Sequence, residues 1–71
     1  MTEKDFREWV KILNKKENMV SDGLFSTVFR KDNIRLIMTD NGYTLTLIFD
    51  DIKTSYTLHW DNTVTKNEWG E

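Results

Sequence analysis

From Ile34 to Trp60 apolar and polar residues alternate through two tight turns, and both turns keep the same face apolar. The Asn41-Gly42 pair is a strong hairpin signal, because both residue types accept the positive φ that a two-residue type I′ turn demands. Such a turn sets Met38 opposite Leu45, Leu36 opposite Leu47 and Ile34 opposite Phe49. Carried on through Asp50-Asp51, the pattern pairs Phe49 with Ile52, Leu45 with Tyr56 and Tyr43 with Leu58. A four-residue loop from Asp50 to Lys53 shifts that second pairing but preserves its parity. A slip of one residue would instead turn every apolar side chain to the wrong face, so the register is strongly specified.

The N-terminal segment has a different period. Phe6, Trp9, Val10 and Leu13 recur at i, i+3, i+4 and i+7, with Ile12 at the edge of the stripe, which predicts an amphipathic helix. Thr2 caps it, with Asp5 three residues on, and Glu3–Arg7 is a favourably oriented i,i+4 pair. The helix is expected to end near Lys16–Asn18. Met19-Val20 then re-enters the core and Ser21-Asp22-Gly23 turns the chain. A strand from Leu24 to Arg30 follows. Its inner face is taken as Phe25, Thr27 and Phe29, with Phe29 across from Ile34, because that choice buries aromatic volume. A last strand spans Ile52 to Trp60, Asp61-Asn62 breaks it, and Thr63 to Trp69 is open between a short fifth strand, one turn of helix and a flexible tail.

These elements make a single α+β domain over residues 1–71, an N-terminal helix laid on one face of a four- or five-stranded antiparallel meander. The helix covers Phe25, Phe29, Leu36, Met38, Leu45, Leu47, Phe49, Tyr56, Leu58 and Trp60. The other face is left open and rich in hydroxyls, with Val28, Ile37 and Ile48 near its middle and Arg30, Arg35 and Lys53 at the rim. There are no repeats, no linker and no second domain.

Composition narrows the function classes. At 71 residues most large apolar side chains are needed for folding, so a deep ligand pocket is not expected. There is no cysteine, hence no disulfide framework and no thiolate zinc site. No apolar run approaches the length that spans a bilayer, and the charged N-terminus lacks the apolar stretch of a secretory signal; a cytoplasmic protein without membrane association is expected. Ten basic against twelve acidic residues hide an asymmetry: residues 1–16 carry five positive and three negative charges, residues 40–71 two positive and six negative. The absence of Ala and Gln as well as Pro, beside nine Thr and six Asn, resembles AT-rich coding sequences of low-GC bacteria and their phages.

No constellation for catalysis emerges, and no enzyme activity, metal or other cofactor is expected. His59 and Asp61 could approach each other but lack a third metal ligand. Ser55 lies about 13 Å along the strand from His59 at ~3.3 Å per residue, too far for a nucleophile–base pair. Asp50-Asp51 reads as a turn former rather than an acid/base pair. Trp9 and Trp60 are read as core, and base stacking on Phe25, Phe29 or Tyr43 would need the face that the helix covers. Trp69 either closes the end of the core or is a partner-facing anchor. The expectation is therefore a small non-enzymatic protein-interaction module, a phage or mobile-element regulator or inhibitor that binds a host protein, or a second copy of itself. Its contact residues are Val28, Arg35, Ile37, Ile48 and Trp69. The alternative is a nucleic-acid-binding module using Lys4, Arg7, Lys11, Lys15 and Lys16 on the helix or Arg30, Lys31 and Arg35 on the sheet, against which the acidic balance argues.

Overall fold

A computed structural model describes residues 1–39 and 44–70; Asp40, the Asn41-Gly42 turn, Tyr43 and Glu71 lie outside them. Helix α1 runs Glu3–Leu13. Thr2 Oγ1 accepts the Asp5 N–H at 3.2 Å, which satisfies one of the orphan donors of the first turn, and Arg7 Nε donates to Glu3 Oε2 at 2.6 Å. The helix stops three residues before the expected zone. Asn14 leaves helical geometry at ψ 70° while its N–H still bonds the Val10 carbonyl, and the Leu13 carbonyl accepts from the Lys15 N–H at 2.8 Å and from Asn18 Nδ2 at 3.3 Å. A single 3-10 turn, Lys16–Asn18, leads into the sheet.

The sheet has six strands, not four or five: β1 Met19–Asp22, β2 Ser26–Lys31, β3 Ile34–Thr39, β4 Leu45–Phe49, β5 Thr54–Leu58 and β6 Val64–Glu68. They are antiparallel neighbours in chain order. The central register is the expected one, with Met38 opposite Leu45, Leu36 opposite Leu47 and Ile34 opposite Phe49. Between β4 and β5 the chain takes the four-residue loop. Asp50–Ile52 make a 3-10 turn, Lys53 closes it at φ 51°, and Tyr56 comes to lie opposite Leu47. Phe29 lies opposite Leu36 rather than Ile34, because the β2–β3 turn is centred on Asp32-Asn33, with Asp32 at φ 56°. Both departures are shifts of two residues and leave every face unchanged.

One row across the helix-side face carries the centre of the core. Phe29, Leu36 and Leu47 lie side by side on β2, β3 and β4, and with Leu58, Phe6 and Leu13 they are the buried apolar cluster. Leu36 and Leu47 are 0% exposed, as are Phe6 and Leu13 on the helix. Trp9, Val10, Ile34, Met38, Leu45, Phe49, Tyr56 and Val64 pack around them, half-buried. Trp9 meets Phe49 edge-on at 5.4 Å between centroids, and Phe49 meets Tyr56 in the same way at 5.9 Å, so an aromatic chain ties α1 to β4 and β5. Arg7 Nη2 reaches Asn62 Oδ1 at 3.0 Å and fastens the helix to the β5–β6 turn. The helix is far too short to cross a membrane, and no other helix among the described residues is long enough.

Three apolar residues assigned to the inner face lie outside it. Phe25 is 82% exposed and Trp60 78%, and Ile52 sits in the β4–β5 loop at 64%. The cause lies in the turns. Ser21-Asp22 do not turn; they stay in the β1–β2 ladder, where Asp22 Oδ1 accepts from Thr27 Oγ1 at 3.1 Å. The reversal falls on Leu24-Phe25, closed by Gly23 N–H donating to the Ser26 carbonyl at 2.9 Å. Met19 and Val20 are likewise surface residues of β1, 40% and 62% exposed. Trp60 lies past the end of β5, in the turn where Asn62 takes φ 70°.

Leu47→Ala is expected to cost about 2–5 kcal/mol, a large fraction of the stability of so small a domain. Phe25→Ser is expected to stay within about 0.5 kcal/mol. Urea unfolding followed by circular dichroism measures both, and equal costs would contradict the assignment of faces.

Candidate interaction surface

The face of the sheet away from α1 is crossed by two rows. The first runs Ser21, Val28, Ile37, Thr46, Thr57, Thr65, one residue from each strand; the second runs Arg30, Arg35, Ile48, Ser55, Asn67 from β2 to β6. No described element covers them. Val28 is directly opposite Ile37, and Ile48 is the diagonal neighbour of Ile37 across β3 and β4, within side-chain reach. The register thus assembles Val28, Ile37 and Ile48 into one apolar group, all three half-buried by their neighbours. Threonines continue the first row, with Thr46 Oγ1 and Thr57 Oγ1 3.5 Å apart.

Arg35 stands directly opposite Ile48. Its guanidinium is engaged by Asp50 in a two-pronged pair, Nε to Oδ2 at 3.1 Å and Nη2 to Oδ1 at 2.9 Å. The rim cation anticipated at this position is therefore a fixed ion pair, and Asp50 does more than form the turn. At 39% and 37% side-chain exposure the pair contributes little to stability, about 0–1 kcal/mol. Its effect is geometric: planar bidentate contact holds the β4–β5 loop against β3. Asp51 lines a small groove of about 160 Å³ with Asn33, Ile34, Phe49 and Ile52. The two carboxylates do not act as a pair.

Trp69 does not join the apolar group. It follows β6 directly, at the position that continues Thr65 and Asn67, and its N–H donates to the Lys53 carbonyl at 3.0 Å. That places it two strands and two residues from Ile48, on the order of 10 Å away. It is 43% exposed and so neither sealed in the core nor fully free. The following Gly70, at φ 118°, lets the stem of Lys53 lie against the chain, since a Cβ there would meet Lys53 Cδ at 2.5 Å.

His59 and Asp61 each take a different hydrogen-bond partner. His59 Nε2 pairs with Thr65 Oγ1 at 2.9 Å, while Asp61 Oδ1 accepts from Thr63 Oγ1 at 2.6 Å and from the Thr63 N–H at 3.1 Å. Among the described residues, no group of three or more His, Asp or Glu is placed to hold a metal ion. A second groove, about 330 Å³, lies beyond the end of α1, lined by Asn14, Met19, Thr27, Phe29, Met38 and Thr39. It contains no titratable group. The cations proposed for nucleic acid are partly claimed already: Arg7 by Glu3 and Asn62, Lys11 by Glu8 at 3.8 Å, and Arg30 by the Asp32 carbonyl at 3.2 Å.

No protein-family model matches the chain, and no curated protein or solved structure matches it either.

The sequence pattern missed the apolar turn tips. Leu24 is 84% exposed beside Phe25, and Trp60 occupies the β5–β6 turn at the same end of the sheet. The available signal was positional: Gly23 before Leu24 and Asp61-Asn62 after Trp60 mark turns, and residues beside such marks fall outside the ladder.

The two Thr63 hydrogen bonds, the side-chain one foremost, hold the Asp61 carboxyl below its ordinary 3.8. A folded pKa below the unfolded one favours the folded state above about pH 4, and this contribution is lost as the pH falls through the folded value. Thr63→Val removes the larger cause, so carboxyl NMR titration should show the Asp61 pKa rising toward 3.8. An unmoved pKa would mean that Thr63 is not its cause.

Proposed function

We propose that this chain is a non-enzymatic protein-interaction module that binds another protein through the open face of its sheet. The observation supporting the reading is the one apolar group on that face. Val28, Ile37 and Ile48 are aligned by the strand register, lie under no described element and are edged by threonines and by the Arg35–Asp50 pair. A flat face with an apolar centre and a polar edge matches the anatomy of protein–protein contacts. Large apolar side chains on a domain this small are otherwise needed for its core.

The action we assign is steric. A six-stranded sheet held by a helix on its far side is a stiff plate, and a plate bound over a functional surface of its partner excludes other ligands from that surface. This suits a regulator or inhibitor of a host protein, of the sort encoded by phages and mobile elements, whose coding bias the composition resembles. Binding nucleic acid through the helix has weaker support, since Arg7 and Lys11 already face acidic side chains on α1.

The test compares the tagged wild-type chain with the double substitution Ile37→Lys, Ile48→Lys in pull-downs from the native host. A partner retained by the wild type should be lost by the variant, with a circular dichroism spectrum that matches the wild type. Equal retention by both proteins would remove this face from consideration. A nucleic acid recovered instead, with affinity falling steeply between two salt concentrations, would replace the reading.

A further inference from the structure

The two edges of the sheet differ, and the difference selects one of them for pairing. β1 has four residues, and its register with β2 shifts between Met19 and Ser21, a bulge at Val20. A bulge breaks the row of outward main-chain groups and twists the strand away, which is a common way of blunting an edge. β6 is longer, five residues, with an unbroken register against β5 from Val64 to Glu68.

The hydrogen bonds at its two ends fix which main-chain groups face outward. Trp69 N–H donates to the Lys53 carbonyl and His59 N–H to the Thr63 carbonyl. Bonded and non-bonded pairs alternate along an antiparallel ladder. Thr63, Thr65, Asn67 and Trp69 therefore direct their main-chain groups at β5, and Val64, Lys66 and Glu68 direct theirs away from the sheet. Among the described residues no strand receives them.

We infer that β6 is a homodimer interface, where the β6 strands of two copies pair antiparallel about a two-fold axis at Asn67. Side-chain charge chooses this register. Centring the axis on Lys66 would place Lys66 against Lys66 of the second copy, and like charges directly opposite are unfavourable. Centring it on Thr65 would carry Glu68 beyond the end of the facing strand. Centring it on Asn67 places Lys66 of each copy opposite Glu68 of the other, twice, in bonded pairs. The same register sets Trp69 opposite Thr65 of the second copy in a non-bonded pair, where side chains approach most closely. A half-exposed tryptophan at the end of the chain's last strand thereby gains a surface to pack on. An edge lysine ordinarily discourages pairing with other strands. Here Lys66 discourages every partner that lacks a carboxylate at that position, and this chain supplies one. The inference uses the edge of the sheet and is independent of the role proposed for its open face.

Sedimentation equilibrium from micromolar to millimolar concentration tests it, with Lys66→Glu, Glu68→Lys and the two combined. The wild type should dimerise, each single reversal should weaken association by roughly tenfold or more, and the combined exchange should restore it. Within one copy Lys66 Nζ lies 3.7 Å from Glu68 Oε2, an exposed pair that contributes little to stability, so circular dichroism should show all four proteins folded. Amide exchange supplies a second readout. Lys66 and Glu68 should gain protection as concentration rises, while Thr65 and Asn67 are protected at every concentration. A wild type that stays monomeric at millimolar concentration, or a dimer indifferent to the charge reversals, would overturn the inference. So would protection of Lys66 and Glu68 that arises only on adding a foreign extended peptide.

Discussion

The core of this domain depends on the period of two along its strands being kept in step across the four successive pairings from β2 to β6. Phe29, Leu36 and Leu47 form one buried row only because each ladder preserves the parity of the one before it. Leu58 joins them because β5 enters through a loop with an even number of residues. Were any one loop to gain a single residue, all strands beyond it would present their polar face to α1. The parity constraint also creates the second face. Whatever is withdrawn from the helix side is delivered to the other side, so Val28, Ile37 and Ile48 lie on the open face for the same reason that Leu36 and Leu47 lie under the helix.

That constraint explains what could be read from the chain and what could not. The helix cap, the Glu3–Arg7 pair, the Phe6/Leu13 stripe and the β3–β4 register were legible because each rests on spacing within a short segment. The turns were less so. Loop length shifted two pairings by two residues, which period-two alternation cannot distinguish. The buried row survived these shifts, whereas assignments at the strand ends did not: Phe25, Ile52 and Trp60 lie beyond the last ladder pairs and face water. Burying aromatic volume was a sound reason to place Phe25 inside, and it lost to the geometry of a two-residue turn whose central positions cannot reach the core.

The edge strands were illegible for a different reason. α1 contacts β2 and β3, meets Phe49 of β4 edge-on through Trp9, and reaches the β5–β6 turn through Arg7. Strands at the margins therefore need no apolar stripe. β1 is exposed at all four positions, and β6 is half-buried only at Val64. Hydrophobic periodicity detects strands through the face they bury, and these two bury almost none. Of the five candidate contact residues, Val28, Arg35, Ile37 and Ile48 share one sheet face, which the same alternation expects. Trp69 was out of reach of that argument because its position depends on β6 being a strand.

A single short helix on a six-stranded sheet leaves two kinds of unsatisfied surface, one apolar and one made of main-chain donors and acceptors. They make different demands. An apolar face of three aliphatic side chains tolerates water, since isolated surface aliphatics are common. A regular unpaired edge is less easily left alone, because it accepts any extended chain. The two surfaces are also geometrically linked. Pairing at β6 would extend the sheet without folding it over, so the open faces of two copies would lie side by side as one surface. Five strand spacings separate Ile48 from its symmetry mate in that arrangement, on the order of 24 Å at ~4.8 Å per strand. The open face of one copy is then far enough from the other to engage its own contact and near enough for both to bind a single two-fold partner, with the gain in affinity that bivalency brings. Closing the edge thus need not cover the face, and a sheet roofed by a helix on one side only can still present a broad, regular plate.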